Sequence, residues 1–412
     1  MKNTIFCIAA TAALLAACGS ENGTGGETAA VDYAAEAQRI AHTSIIIDTH
    51  VDVPYRLVAE PADITQATDT GDFDYPRAVD GGLNVPFMSI YTPAEQEAEG
   101  KSKETAENLI DLVEEIVASA PDKFAIAKSV ADVRKQYDAG IMSLPMGMEN
   151  GSPIEGNLAT LKHFYDRGIR YVTPVHSLSN HLSDSSYDEN RQWNGLSDFG
   201  KDAIREMNRL GIMVDVSHVS DEAFWQIIEI SAAPVMASHS SARHFTPGFE
   251  RNMNDEMIVA MAEKGGVIQI NFGSTFISQE ARDYGDAMRL AGKEYLAENP
   301  ELTESFLYRN YPKIYKVEHG EMPYASVDDV LDHFEHVINL VGIDHVGLGS
   351  DFDGVGDTLP IGLKDVSAYP NLIEGLLRRG YSEEDVRKIL GENLLRVWEA
   401  VETYAATTSS ST

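Results

Sequence analysis

Histidine and carboxylate side chains recur directly after apolar segments along this 412-residue sequence. Four of the 12 histidines and three acidic residues hold such positions, namely His50, His176, His218, His239, Asp52, Glu149 and Asp351. Imidazole nitrogens and carboxylate oxygens without sulfur suit Zn²⁺, with Mn²⁺ and Co²⁺ left open as alternatives. Two such metals can activate a shared hydroxide and polarise a carbonyl group. The residue types therefore point to metal-assisted hydrolysis.

The spacing of these residues suggests how two metals would share them. His50 and Asp52 form an HxD pair, and at the period of a strand both side chains point the same way and can hold one metal. An ordinary turn is the alternative for this pair. The Glu149 carboxylate, with its two oxygens, can bridge two cations. His218 and His239 are placed to complete a second metal site.

Other residues near the predicted strand ends could act on a substrate. Asp351, in the segment GLGSDFDGVG, is a candidate proton shuttle, and its neighbour Asp353 competes for that role. His176 could donate to an oxyanion, and Arg251 could pair with a substrate carboxylate. A loop cap, a structural histidine and a surface arginine are the respective alternatives. No Gly-x-Ser-x-Gly segment occurs, which disfavours a serine hydrolase of the α/β class.

The remaining histidines give weaker signals. His333 and His336 lie three residues apart on a predicted helix, where packing or a surface role is favoured over metal binding. His181 and His244 lie near the proposed site and could contact its metal ligands without binding a metal themselves.

The elements that must position these residues alternate between apolar strands and amphipathic helices. The predicted strands are 44–48, 82–90, 141–148, 170–175, 212–217, 234–238, 266–271 and 345–350. Eight buried strands with helices between them predict a TIM-like (β/α)8 barrel, whose active site lies at the carboxyl ends of the strands. A doubly wound open sheet is the alternative. Residues 274–325 do not fit the alternation and predict a helical insertion between strands 7 and 8, either a lid or a surface helical pair.

The N-terminus has the features of an export signal. Lys2 precedes an apolar run at residues 5–17, which is too short to span a bilayer. The run ends in Leu-Ala-Ala-Cys, which resembles a bacterial lipoprotein cleavage box, so Cys18 would carry the lipid. An ordinary signal peptide or a buried apolar strand is the alternative. Because Gly19 follows rather than Asp, lipoprotein sorting suggests the outer membrane, facing the periplasm.

Composition and these signals together predict the domain organisation. We expect a signal peptide at 1–17, a flexible tether at 18–32, one barrel domain at 33–403 and a disordered tail at 404–412. The two cysteines, Cys7 and Cys18, leave the mature fold without a disulfide. With 32 Lys and Arg against 65 Asp and Glu, the net charge of −33 argues against nucleic acid as a partner.

The ordered set of motifs resembles the membrane (renal) dipeptidase family of zinc peptidases, within the metal-dependent amidohydrolase superfamily. The matching segments are DTHVDVP (48–54), GMENG (147–151), VTPVHS (172–177), DVSHVSD (215–221), SHSSAR (238–243), ERNMND (250–255), GGVIQINF (265–272), DHVGLGSDFDG (344–354) and GENLLRVW (391–398). Each motif is short, but together they follow the family's order over nearly the whole mature chain.

The resemblance implies roles for the site residues. His50 and Asp52 would hold one zinc, His218 and His239 the other, and Glu149 would bridge the two. His176 would contact the substrate carbonyl or oxyanion, Arg251 would bind the dipeptide's C-terminal carboxylate, and Asp351 would be the general acid/base. The loop between His239 and Arg251 is about one residue longer than usual, which makes Arg251 the less secure assignment.

The resemblance also implies an activity. It predicts a lipid-anchored zinc dipeptidase that cleaves free dipeptides with a hydroxide bridging two metals, tolerates a D-residue at the C-terminal position and forms a homodimer. The alternatives are another binuclear hydrolase on the same barrel, such as a lactonase or N-acyl-amino-acid deacylase, and a metal-binding lipoprotein without turnover.

Overall fold

The computed structural model describes residues 32–302 and 304–409. The predicted signal peptide at 1–17, the predicted lipidation residue Cys18 and the predicted tether up to residue 31 lie outside the described residues. Residues from Tyr33 onward form one compact unit. In the described part of the chain, no helix combines the length and the apolar character needed to cross a membrane.

Parallel strands close into a barrel. In chain order the strands are β1 (Ile47–Val51), β2 (Val85–Tyr91), β3 (Phe124–Ala125), β4 (Met142–Ser143), β5 (Met146–Glu149), β6 (Ile169–Thr173), β7 (Met213–Asp215), β8 (Val235–Ala237), β9 (Val267–Ile270) and β10 (Val346–Leu348). The barrel order is β1-β10-β9-β8-β7-β6-β5-β2, and β3 pairs with β4 outside it. Each of the eight predicted strands overlaps one barrel strand. The (β/α)8 prediction is confirmed, and the open-sheet alternative is wrong.

Helices cover the outside of the barrel. They are α1 (Tyr33–Ala41), α2 (Val53–Ala59), α3 (Tyr75–Gly81), α4 (Gln96–Glu99), α5 (Ser102–Ser119), α6 (Val130–Asp138), α7 (Leu158–Arg167), α8 (Asp198–Leu210), α9 (Asp221–Ile230), α10 (Asp255–Glu263), α11 (Ser274–Ile277), α12 (Gln279–Glu298), α13 (Glu304–His319), α14 (Val327–Val341), α15 (Tyr369–Arg378), α16 (Glu383–Arg387) and α17 (Asn393–Ser409). Ser or Asn side chains cap the N-termini of α8, α9, α10 and α14. Because these caps satisfy backbone N–H groups, each helix starts at a fixed position after its loop.

The amino ends of the strands are closed by packed apolar side chains. Phe87 and Tyr171 lie there with their ring centroids 5.6 Å apart, and Trp398 of α17 packs on Phe87 at 5.4 Å. All three side chains are fully buried. Helix α17 therefore closes the amino-terminal end of the barrel, and the cluster that contains Phe87, Tyr171 and Trp398 forms the floor of the barrel.

The predicted disordered tail is corrected in part, because α17 continues to Ser409. Tyr404 packs against the floor cluster, which holds the helix beyond residue 403. The predicted frayed end therefore begins no earlier than the end of this helix.

The predicted insertion is present between β9 and β10 and contains α11, α12 and α13. Its two ends are tied together, since the Ala325 N–H donates to Ser274 Oγ at 3.0 Å. Arg282, in the first turn of α12, lies with its guanidinium carbon 3.8 Å from the centroid of the Phe249 ring. The insertion thus begins and ends at neighbouring positions, and the first turn of α12 packs on the loop that follows β8.

Candidate active site

The predicted metal ligands, together with His176 and Asp351, lie at the carboxyl ends of barrel strands, whereas Arg251 lies in the long loop after β8. His50 is the fourth residue of β1, and Glu149 is the last residue of β5. Histidines follow β6, β7 and β8 within three residues, and Asp351 follows β10 by the same distance. Because the strands are parallel, these ends meet on one face of the barrel.

Four histidine rings converge on the Glu149 carboxylate. Its Oε1 lies 3.0 Å from His218 Nε2, 3.3 Å from His239 Nε2 and 3.6 Å from His176 Nε2. Its Oε2 lies 3.4 Å from His50 Nε2. His218 and His239 also approach each other, with their Nε2 atoms 2.9 Å apart. One buried carboxylate therefore faces ring nitrogens from four different strand ends.

A second group of ligand atoms adjoins the first. His50 Nε2 lies 3.4 Å from Asp52 Oδ2, and His50, Asp52 and Asp351 bring ligand atoms within 4.8 Å of one another. A Cβ at Gly354 would lie 2.2 Å from both Asp351 Oδ1 and Asp52 Oδ2, so only glycine fits beside these carboxylates.

These residues fit a site for metal ions. His50 Nε2 and Asp52 Oδ1 are buried and have no hydrogen-bond partner among the described residues. A buried polar atom without a partner costs about 1–3 kcal/mol, which a bound cation would offset. The nitrogen and oxygen donor set matches Zn²⁺ and similar divalent metals.

Neighbouring side chains orient the histidine rings. Ser238 Oγ donates to Asp215 Oδ2 at 2.6 Å and lies 2.7 Å from His239 Nδ1. Because the Ser238 proton goes to Asp215, His239 Nδ1 donates to Ser238, which leaves the lone pair on Nε2 facing Glu149. His50 Nδ1 is held by the Tyr171 hydroxyl at 2.8 Å. Sequence reasoning missed these supports, although Asp215 and Ser238 lie in the matched motifs.

The protonation of the cluster favours a cation. Burial lowers the pKa of His218 and His239 well below the usual value, with Arg251 adding to the effect, so both rings are neutral. Burial alone would raise the pKa of Glu149, but His50 and His176 outweigh it and hold that pKa well below the usual value. Burial would lower the pKa of His50, but Tyr171, Glu149 and Asp52 outweigh it and raise that pKa well above the usual value. The centre thus combines an ionised carboxylate with two neutral imidazoles, and a cation bound there would replace the proton of His50.

Asp351 differs from the other carboxylates. Burial raises its pKa to about 7, with Asp52 and Glu149 adding to the increase and His50 opposing it. Asn271 Nδ2 donates to its Oδ2 at 2.7 Å and fixes the carboxyl group. A buried carboxyl with a pKa near 7 can both accept and release a proton.

Asp353, the competing candidate, is directed away from this group. Its Oδ2 accepts from Arg56 Nε at 2.8 Å, and its Oδ1 accepts from the backbone N–H of Asp72. Asp353 therefore has a structural role in joining two loops.

Arg251 and His176 border the metal-ligand groups. Arg251 donates from Nη1 to Ser240 Oγ at 2.6 Å and from Nη2 to the His239 carbonyl at 2.7 Å, while its buried Nε has no partner in the described part of the chain. The His176 ring meets the edge of Tyr91 at 4.8 Å, and burial lowers its pKa. His176 Nδ1 also has no partner among the described residues. Both side chains thus keep a donor for another molecule.

Two histidines considered as support lie elsewhere. His181 pairs with Glu97, and His244 stacks on His336. Neither belongs to the groups around Glu149 and His50.

Comparison with known proteins decides the family. A family model described as membrane dipeptidase (peptidase family M19) matches residues 34–412. The chain belongs to this membrane dipeptidase family. It is therefore a metallo-dipeptidase by family, and the groups around Glu149 are its candidate metal ligands.

Solved structures show the same relationship. The probable dipeptidase PvdM from Pseudomonas aeruginosa is 26% identical with a TM-score of 0.80, covering 90% of this chain and 99% of that one. A metallopeptidase from Rhodobacter sphaeroides, liganded with a phosphinate mimic of the dipeptide L-Ala-D-Ala, is 27% identical with a TM-score of 0.71, covering 87% and 99%. A metallopeptidase described as dipeptidase AC is 28% identical with a TM-score of 0.72, also covering 87% and 99%.

Proposed function

We propose that this membrane dipeptidase family member uses two Zn²⁺ ions to hydrolyse free dipeptides, including those with a C-terminal D-residue. The observation that carries the proposal is the Glu149 carboxylate, which faces four ring nitrogens at 3.0–3.6 Å. His50 and Asp52 would hold one ion, His218 and His239 the other, and Glu149 would lie between them. Ions bound there would supply Lewis acidity, lowering the pKa of a shared water molecule and polarising the scissile carbonyl.

Arg251 would select for a free C-terminus. Its guanidinium is positioned by the His239 carbonyl and Ser240 Oγ, and its Nε remains available to a ligand. A carboxylate accepts such charge-assisted hydrogen bonds in a fixed geometry. Because Arg251 donates to the carbonyl of His239, its guanidinium would bind the C-terminal carboxylate at a fixed position beside the metal site. This arrangement favours dipeptides over longer peptides.

His176 and Asp351 would handle charge and protons. His176 is neutral because burial lowers its pKa, so it can donate one hydrogen bond to the developing oxyanion. Asp351 has a pKa of about 7 and is held by Asn271, so it can take a proton from the attacking water and give it to the leaving amine.

A relative supports the tolerance for a D-residue. The Rhodobacter sphaeroides metallopeptidase is liganded with a mimic of L-Ala-D-Ala. We extend the acceptance of a C-terminal D-residue to the present chain as part of the proposal.

We further propose that Cys18 carries a lipid and anchors the enzyme to the outer membrane, facing the periplasm. The apolar run at 5–17 and the Leu-Ala-Ala-Cys box support this assignment. A homodimer is expected from the family resemblance, and light scattering of the purified protein would test it.

The first experiment is hydrolysis of L-Ala-D-Ala and L-Ala-L-Ala by the soluble chain 19–412. The protein is assayed with zinc, after chelation, and after zinc is restored. Loss of cleavage on chelation and its return with zinc would support the proposal, and the ratio of the two rates gives the stereochemical preference. A folded protein that holds two metals but cleaves neither dipeptide would contradict it.

A further inference from the structure

A second cluster of metal-ligating side chains lies outside the active site. His336 Nε2 is 2.7 Å from Asp255 Oδ1, and the rings of His244 and His336 stack with their centroids 4.4 Å apart at 22°. One ligand atom from each residue lies within 4.8 Å of the others. The cluster shares no residue with the groups around Glu149 and His50.

The loop after β8 brings two of these ligands together. A parallel bridge joins Ala242 to Met253, and the Arg243 N–H donates to the Met253 carbonyl at 2.7 Å. His244 and Asp255 each follow a bridge partner by two residues. The bridge therefore sets both side chains at the base of the same loop.

The third ligand comes from α14, which is fixed against this loop. His333, one turn before His336, accepts from the Ala242 N–H at 3.1 Å through Nδ1 and donates from Nε2 to the Ile277 carbonyl at 3.0 Å. Burial lowers its pKa to about 4, so the ring is neutral and both of its nitrogens are satisfied. His333 is thus a structural residue that places His336 opposite the loop.

The chemistry of the cluster suits a divalent transition metal. Two imidazoles and one carboxylate are a common ligand set that leaves coordination positions for water. The ring nitrogens of the exposed His244 have no hydrogen bond to the described residues, so a lone pair is available. Asp255 also lines a surface recess together with Glu256 and Glu263. Because the His244 ring stacks on that of His336, it would have to turn about its side-chain torsions to direct a ring nitrogen at an ion held by His336 and Asp255.

We propose that His244, Asp255 and His336 bind one Zn²⁺ ion, which clamps the loop 243–255 to α14. The loop contains Arg251, so the ion would stabilise the segment that positions this residue. The site itself does not depend on which reaction the enzyme performs.

Metal content tests the binding step. The full chain and its variants are equilibrated with buffered zinc and analysed by mass spectrometry for bound metal. Wild type is expected to hold one zinc per chain more than His244→Ala, which removes an exposed side chain. His336→Ala is expected to show the same loss.

His163→Ala is the matched control, since His163 is also exposed and pairs with a carboxylate, that of Glu107. Equal zinc content in wild type and both cluster variants would overturn the proposal.

Hydrogen exchange tests the clamp. With zinc at about 100 times the dissociation constant of the site, amides of residues 243–254 that exchange through loop opening are expected to slow about 100-fold in wild type. The His244→Ala protein is expected to show no such slowing, while its active-site zinc is retained. Unchanged exchange in wild type on filling the site would overturn the clamp. Both readouts are independent of dipeptide hydrolysis.

Discussion

The carboxyl ends and the amino ends of the same barrel strands are built from different residue types. At the carboxyl ends, the buried His50 Nε2 and Asp52 Oδ1 lack hydrogen-bond partners among the described residues. At the amino ends, Phe87 and Trp398 are fully buried in aromatic contact. The unpartnered polar atoms at the carboxyl ends destabilise the folded protein until a ligand is bound. The packed aromatic side chains at the amino ends stabilise it. Stability and chemistry are thus assigned to opposite ends of one barrel.

Tyr171 connects the two ends. Its ring packs on Phe87 in the floor, and its hydroxyl holds His50 Nδ1 at 2.8 Å. A Cβ at Gly147 would lie 1.9 Å from the Tyr171 ring, so the neighbouring strand must have glycine there. The orientation of one candidate metal ligand therefore depends on the packed floor beneath it.

The largest effect is expected from Glu149→Gln at the carboxyl end. Loss of the shared carboxylate should remove bound metal and lower kcat by more than about 10³-fold, since metal ions contribute several kcal/mol and about 1.4 kcal/mol is tenfold. Metal analysis and dipeptide turnover measure this change. Retention of both metals and of full turnover would refute the role of Glu149.

Asp351→Asn separates proton transfer from metal binding. Because an amide cannot shuttle the proton, kcat should fall about 10²- to 10⁴-fold with metal content unchanged. The matched control is Asp353→Asn, two residues away, where the loss of the Arg56 partner should lower the free energy of unfolding and leave most of kcat. Reversed outcomes for the two variants would assign the proton shuttle to Asp353.

Trp398→Ala tests the floor. Removing this fully buried side chain should lower the free energy of unfolding by about 3–5 kcal/mol, while KM for dipeptides stays the same in the folded fraction. Denaturant titration and kinetics at low temperature measure the two effects. Trp398→Phe is the milder control, since the indole Nε1 has no hydrogen-bond partner to lose in the described part of the chain. A large change in KM for Trp398→Ala would show that packing at the amino ends influences substrate binding at the carboxyl ends.

The smallest effect is expected from Arg251→Ala. Loss of hydrogen bonds to a charged carboxylate, about 1.5–3 kcal/mol, should lower kcat/KM roughly 10- to 100-fold, mainly through KM. A C-terminally amidated dipeptide serves as the control substrate, because it should be cleaved poorly by wild type and be little affected by the substitution. Equal cleavage of the free and amidated dipeptides by wild type would exclude the carboxylate role.

The barrel and its ligand positions could be read from the sequence because both leave local patterns. Strands buried on both faces are continuous apolar runs, and polar residues that follow each run mark the open end. Asp351 and Asp353 could not be separated in this way. Both have positive φ, 65° and 64°, so the loop abandons the alternation of a strand and turns Asp353 toward Arg56.

Hydrogen bonds that orient the ligands but join residues far apart in the chain could not be predicted from the sequence either. The bond from Tyr171 to His50 joins residues far apart in the chain and becomes visible only when the barrel is closed. The tail prediction was wrong for residues 404–409 for a related reason. Apart from Tyr404, the 404–409 segment consists of Ala, Thr and Ser, which give no signal of burial. Tyr404 contacts the floor cluster, whose residues come from several strands.

Helix α17 has a consequence for the order in which the enzyme acquires its structure. Its side chains, including Leu394 and Trp398, complete the cluster at the start of strands that precede it in the chain. On the ribosome, a nascent chain that already contains every strand still lacks the residues that fill the barrel's base. Folding of the barrel is therefore expected to wait until α17 has emerged from the exit tunnel.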